Sequence, residues 1–321
     1  MTDSPRFNLQ SPRDHGGGLD GAIERFGGTR ADWIDLSTGI NPTPYRIGSF
    51  PAEDWTALPD KAAKQRLLDA ARAHWSVPDG AAILPAPGAS VLIAMVPSLR
   101  PAGRVQITRP TYNEHQAAFA SHGWEVCDTA PAEARVLVHP NNPDGRLWGA
   151  EDTTAPLTVI DESFGDVTPD HSLIELTTQP GRIILKSFGK FWGLAGLRLG
   201  FAIATPDIIA QMEARLGPWA VSGPALRIGA RALEDTDWTH ATRTSLQHES
   251  DRLDDLLTRN GAKLAGGTTL FRLYQVDDAA DWQDRLARHR IWSRIFPYSD
   301  TYLRLGLPPA HGWERLERAL A

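Results

Sequence analysis

Apolar residues fall in short, nearly unbroken runs through much of this chain: residues 82–84, 105–107, 124–127, 135–138, 157–160, 183–185 and 199–204. These runs are too short for helices, mostly β-branched, and largely apolar on both sides, the pattern of strands covered on both faces. Between them, apolar residues recur three and four apart. Ala63, Leu67, Ala70 and Ala71 predict a helix over 61–74, and further helices are predicted over 89–99 and ending near 121. Strands alternating with helices predict an α/β domain with a mostly parallel sheet between helices. In such sheets ligands gather outside the carboxyl ends of the strands.

After Thr205-Pro206 the pattern changes. Helical segments are predicted over 207–216, 225–233 and 239–259. Strands are then predicted over 271–276, 291–296 and 302–307, with a helix over 281–289 and another over 310–321. This predicts a smaller C-terminal α+β domain. Residues 1 to about 30 are polar and glycine-rich and read as an arm. The expected division is an arm at 1–45 serving the small domain and the substrate site, a large ligand-binding domain at 46–205, and a small domain at 206–321.

Composition and charge exclude several classes. The 321 residues are 41% hydrophobic and 22% charged, with a formal net charge of −6, so the chain is globular and has no basic surplus for nucleic acid. Cys127 is the only cysteine, which excludes an internal disulfide and a cysteine metal cluster. The apolar stretch 81–97 carries Pro85, Pro87, Gly88 and Ser90 and makes a poor membrane span. With no apolar signal core at the start, a soluble cytoplasmic protein is expected.

Candidate chemistry sits after the strands. Gly88, Ala89 and Ser90 open a helix, where free amides can bind phosphate, although an ordinary N-cap serine explains them as well. Tyr112, Asn142 and Asp161 follow the next strands, and Ser187 and Lys190 follow the run at 183–185. Five such clusters at one sheet edge are hard to explain as surface decoration. A lysine kept neutral by burial and cationic neighbours can condense with an aldehyde. Lys190 is the candidate and Lys186 its rival, while Ser187 and Arg198 could hold a phosphate nearby. His15-Gly16-Gly17-Gly18 is either a flexible turn or an anion contact.

In their order along the chain these motifs resemble the fold-type I pyridoxal-phosphate enzymes, particularly the histidinol-phosphate aminotransferase group, over nearly the whole length. Asn142-Pro143-Asp144-Gly145 resembles that family's Asn-Pro-Thr-Gly, Asp161-Glu162-Ser163-Phe164 its Asp-Glu-Ala-Tyr, and 187–198 its lysine segment. The resemblance implies pyridoxal phosphate as cofactor and Lys190 as the lysine that carries it, since the family's lysine-to-arginine spacing selects Lys190 over Lys186. It further implies Asp161 on the pyridine nitrogen, Asn142 on the ring hydroxyl, and Tyr112 on the ring face. Gly88, Ala89, Ser90, Ser187 and Arg198 would hold the cofactor phosphate, and Arg304 the substrate carboxylate. A homodimer is also implied, although Leu58-Pro59-Asp60 stands where the family has a tyrosine that reaches the partner's cofactor phosphate.

Phe164, the early His-Gly-Gly and Ser37-Thr38-Gly39-Ile40-Asn41-Pro42 are similar to the threonine-phosphate decarboxylases of cobalamin biosynthesis. That similarity implies L-threonine O-3-phosphate as substrate and (R)-1-amino-2-propanol O-2-phosphate plus carbon dioxide as products. His15 and Arg294 would then bind the substrate phosphate. The alternative is an aminotransferase of the histidinol-phosphate type, which would share every cofactor residue. A non-catalytic protein of the same fold is the third reading.

Overall fold

The computed structural model describes residues 15–321. The arm carries a helix, α1 (Leu19–Phe26), that the glycine-rich sequence did not announce, and a two-residue strand, β1 (Ile34–Asp35). The large domain follows. Two helices, α2 (Glu53–Thr56) and α3 (Lys61–His74), lead into β2 (Ala82–Ala86) and α4 (Ala89–Met95). Asp60 caps α3 by accepting from the Ala63 amide at 2.7 Å. The helix expected over 89–99 ends as an α-helix at Met95 and tightens into a 3-10 turn over Val96–Leu99, because Pro97 has no amide to continue the ladder. Then come β3 (Arg104–Ile107), α5 (Asn113–Ser121), β4 (Glu125–Cys127), β5 (Ala134–Val138), β6 (Leu157–Asp161), β7 (Arg182–Ser187) and β8 (Gly200–Ala204).

The seven strands form one sheet in the order β2-β8-β7-β6-β5-β3-β4. All neighbouring pairs are parallel except those made by β8, which runs antiparallel to both β2 and β7. Strands β2, β5, β6, β7 and β8 are mostly buried on both faces, as their apolar runs predict, whereas β3 is buried only at alternate positions and the edge strand β4 is partly exposed. On β7 the alternation is direct: Ile183 and Leu185 join the core under one layer of helices, and Ile184 joins the core under the other. Reversal of β8 has one consequence for the site. Its amino end, just after Arg198, lies at the same edge as the carboxyl ends of the parallel strands.

Helix α6 (Pro206–Leu216) packs on β2 and β8, and α7 (Gly223–Glu234) packs on α3, so the chain directly after residue 205 still covers the large sheet. The long α8 (Thr236–Arg259) then leads to a second sheet of four antiparallel strands. These are β9 (Lys263–Thr268), β10 (Phe271–Gln275), β12 (Arg294–Phe296) and β13 (Ser299–Gly306), in the order β12-β13-β10-β9. Helices α9 (Ala279–Arg288) and α10 (Trp313–Leu320) complete the domain. The single strand expected over 291–296 is divided. Its first part, β11 (Ile291–Trp292), pairs in parallel with β1, while β12 joins the four-stranded sheet. Buried Ser293 separates them, with its carbonyl taken by the Gln283 side chain at 2.9 Å. The β1–β11 pairing ties the arm to the small domain.

Candidate active site

The large sheet brings three strand ends into register. Gly200 on β8 pairs with Ala86 on β2 on one side and with Ser187 on β7 on the other. The turn from β2 into α4 and the turn from β7 to β8 are therefore adjacent. Gly88 sits between them at φ 91° with no side-chain cap for α4, and a Cβ built there would lie 2.5 Å from an Arg198 guanidinium nitrogen. Only glycine lets that guanidinium lie against the start of α4. Arg198 takes a left-handed conformation, φ 54° and ψ 55°, and donates to the Ala195 carbonyl at 3.0 Å. Ala89 is buried, and Ser90 and Arg198 are exposed at this edge.

Asp161 closes β6 and is fully buried. Burial pushes its carboxyl up. The hydrogen bond and charge of His115 at 2.8 Å, with the Ser163 hydroxyl at 2.5 Å and amide at 2.9 Å, outweigh that and hold the pKa below the usual carboxylate range. His115 is a buried partner of Asp161 that the sequence reading missed. Its one signal is a histidine four residues before buried Phe119, on the same face of α5.

The two lysines have different fates. Lys186 is buried and bonded at 2.6 Å to buried Glu162, whose other oxygen accepts from the Leu173 amide at 2.7 Å. It is committed to that pair. Lys190 is half-buried, with its ammonium 5.2 Å from the Phe164 ring centre. Burial and the Arg304 charge pull its pKa down to about 8, against the opposing pull of Asp161 and with a further contribution from Arg198. Buried Phe188, Phe191 and Trp192 clamp the turn that carries it, with Phe188 stacked on Trp192 at 5.0 Å.

On the other side of the edge lies a cleft of about 530 Å³. Arg109, Tyr112, Asn113 and Gln116 line one wall; Arg294, Phe296, Tyr298 and Arg304 line the other, with His15, Gly16 and Asn142 between them. The expected substrate residues His15, Arg294 and Arg304 thus meet in one cleft with Tyr112 and Asn142. Lys190, Asp161, Ser90, Ser187 and Arg198 do not line it, and they lie at the sheet edge behind. Within the cleft, Asn142 is tied to the small-domain wall, because its Oδ1 accepts from the Arg304 guanidinium. Arg304 is buried and also donates to the Ser37 carbonyl at 2.6 Å.

The lining includes no carboxylate among the described residues. Those that pair with its cations stand outside it: Asp128 with Arg109 at 2.6 Å, and Glu114 with His15 at 2.9 Å. Arg294 and Arg304 are direct partners across β12 and β13. Like charges directly opposite in a sheet repel, and an anion between them relieves that repulsion. The arm is seated here by Ser37, whose hydroxyl accepts from the Gly17 amide at 2.6 Å. A Cβ on Gly16 would lie 2.4 Å from the Ser37 carbonyl oxygen, so glycine is needed for the arm to approach this closely.

Residues 53–321 match the profile of the family described as aminotransferase class I and II. The chain is 40% identical to a threonine-phosphate decarboxylase from Sinorhizobium sp, over 98% of this chain and 99% of that protein. It is 37% identical to a threonine-phosphate decarboxylase from Pseudomonas aeruginosa, over 96% and 97% of the two chains. Among solved structures, histidinol-phosphate aminotransferase from Sinorhizobium meliloti in complex with pyridoxal-5'-phosphate superposes with a TM-score of 0.78 at 20% identity, covering 100% of this chain and 98% of that one.

Proposed function

Because this chain belongs to the aminotransferase class I and II family, we propose that it is a pyridoxal-phosphate enzyme that decarboxylates L-threonine O-3-phosphate to (R)-1-amino-2-propanol O-2-phosphate. The observation that carries the substrate is the cleft, where three guanidiniums and an imidazole meet with no carboxylate in the described lining. A substrate bearing both a carboxylate and a phosphate matches that charge. The decarboxylases of Sinorhizobium sp and Pseudomonas aeruginosa support the reaction, and with it a role in cobalamin biosynthesis.

The residues fit the cofactor. A lysine with a pKa of about 8 stands near a buried carboxylate kept ionised, and the arginine at the Gly88 turn offers a phosphate seat. Lys190 would carry it, and Asp161 would face its ring nitrogen. Ala89, Ser90, Ser187 and Arg198 would hold its phosphate, Asn142 its ring hydroxyl and Tyr112 its ring face. When bound, pyridoxal phosphate supplies an electron-accepting ring for the pair left as carbon dioxide departs. Arg304, braced by Ser37 and Asn142, binds the substrate carboxylate and sets its orientation. His15 and Arg294 bind the substrate phosphate. Lys190, with its amine still partly protonated near pH 8, returns a proton to the α-carbon. Phe164 and Phe271, in edge contact at 4.9 Å, keep water from that side.

The assay is direct. Purified protein given L-threonine O-3-phosphate is expected to release carbon dioxide and the amino alcohol phosphate. If it instead converts histidinol phosphate and 2-oxoglutarate to glutamate and leaves threonine phosphate untouched, the decarboxylase reading fails and the aminotransferase reading stands.

We also read the chain as an arm, a large domain and a small domain, grouping α6 and α7 with the large sheet they cover. A homodimer is part of this reading. Exposed Trp55, Leu58 and Trp219 give it an apolar surface to bury, and light scattering at twice the 35.2 kDa chain mass would support it. No described helix is long and apolar enough to cross a membrane, which supports a cytoplasmic setting.

A further inference from the structure

The geometry points to Arg109 as a second phosphate-recognising guanidinium beside Arg294, placed on the wall opposite Arg294 and Arg304 and oriented from behind by Asp128. This inference rests on the reading of the cleft as a site for a phosphorylated amino acid. Arg109 lies two residues beyond the end of β3 and lines the cleft beside Tyr112. Arg294 and Arg304 come from the small domain and face it from the other side. It is thus the large-domain cation of the cleft.

Its pairing leaves it able to bind. Asp128 accepts from Nε at 3.0 Å and from one terminal nitrogen at 2.6 Å, a side-on, two-point grip. A guanidinium has five N–H donors in a fixed fork. The other terminal nitrogen donates to none of the described residues, so the outer edge of the fork remains for an anion. Asp128 is absent from the lining. It fixes the plane of the guanidinium without occupying the cleft. A phosphate monoester has three terminal oxygens and can be held from both walls at once, whereas a hydroxyl in its place offers Arg109 no charge to bind. Arg109 therefore discriminates for the phosphorylated substrate, and Asp128 is a positioning residue that acts through it.

Both side chains are about half exposed, 54% and 52%, so replacing them leaves the fold intact. The test uses the cofactor-loaded protein with three ligands: L-threonine O-3-phosphate, inorganic phosphate and L-threonine, each titrated by calorimetry, with KM and kcat measured for the first. Arg109→Gln is expected to weaken both phosphate-bearing ligands about tenfold, the cost of one lost charge-assisted contact, while L-threonine binding stays within about twofold. KM for L-threonine O-3-phosphate rises with it and kcat holds. Arg109→Lys, which keeps the charge and loses the fork, recovers part of the loss. Asp128→Ala is expected to weaken phosphate about threefold, with no added loss in the double variant, since Asp128 acts through Arg109. Equal weakening of all three ligands, or no weakening of phosphate, would overturn the assignment of Arg109. Additive losses in the double variant would overturn the role of Asp128. A wild-type protein that binds phosphate through Arg109 yet releases no carbon dioxide would remove the decarboxylase reading and leave this site standing.

Discussion

The sheet edge and the cleft in front of it are built on opposite plans. At the edge, charges are buried and already paired: Asp161 with His115 and Ser163, Glu162 with Lys186. Each of these buried charges is held by a partner from the protein, as burial requires, while Arg198 at the same edge is exposed. In the cleft, cations face one another across β12 and β13, and the carboxylates that partner Arg109 and His15 stand outside it. The edge is complete without substrate. The described lining of the cleft brings cations together without a carboxylate, which suits an anionic ligand. Substitutions at the edge should therefore alter chemistry or folding, and those in the cleft should alter affinity and choice of substrate.

Two lysines four residues apart give the sharpest test of that contrast. Lys190→Ala is expected to lower turnover on the order of 10³-fold or more, because proton transfer and covalent attachment are both lost. The protein should still fold, and its cofactor absorbance should change to that of unattached aldehyde. Lys186→Ala should do the reverse. Removing one member of a buried pair costs about 3–5 kcal/mol, read as a lower denaturation midpoint, while the absorbance of attached cofactor survives. If Lys186→Ala, and not Lys190→Ala, abolishes attachment, the two roles are exchanged and the site is misassigned.

Arg304→Gln comes next. Arg304 is held by the protein through contacts to Ser37 and Asn142. Loss of its charge-assisted contact should lower kcat/KM by roughly 10- to 100-fold. Carbon dioxide release should fall further than substrate affinity, because this contact sets the carboxylate's orientation as well as its binding. A rise in KM alone would make Arg304 a simple anchor and shrink the distinction between edge and cleft.

These regions also differ in how far the sequence exposed them. Asp161, Ser187 and Lys190 follow apolar runs buried on both faces, and such runs mark the sheet edge wherever they stop. The four-stranded sheet is harder to read. Strand β9 carries Gly266 and Gly267 and is mostly exposed over its first half, so it shows neither a buried run nor a clean alternation. Arm helix α1 lies among Gly17, Gly18 and Gly21, residues that argue against a helix. The facing of Arg294 and Arg304 depends on strand register, which is a tertiary fact. His115 was missed for a related reason: a histidine on a short helix reads as surface until Asp161 is seen 2.8 Å away. Arg109, in a polar turn, has no local signal at all.

His115→Leu tests the edge more gently. Without that partner, burial raises the Asp161 carboxyl and the ring nitrogen loses part of its counter-charge. Turnover should fall about tenfold at neutral pH, and the loss should deepen as pH drops, since protonation of Asp161 then begins at a higher pH. A pH-independent loss would mean that His115 only fills space.

The smallest effect concerns Lys190 in the cofactor-free protein. Its pKa is lowered to about 8 by burial and by the Arg304 charge, so the neutral, nucleophilic amine is the minor form at pH 7 and the major form at pH 9. Capture of added pyridoxal phosphate, followed by absorbance, should speed up as pH rises toward 8 and gain less than about twofold between 8 and 9. An amine with the ordinary lysine value would instead gain about tenfold over that last unit. Arg304→Gln links edge and cleft in this measurement. Removing that neighbouring cation lets the Lys190 pKa climb, which shifts the plateau to higher pH. An unshifted plateau would leave burial, with Arg198, as the cause and make the two regions electrostatically independent.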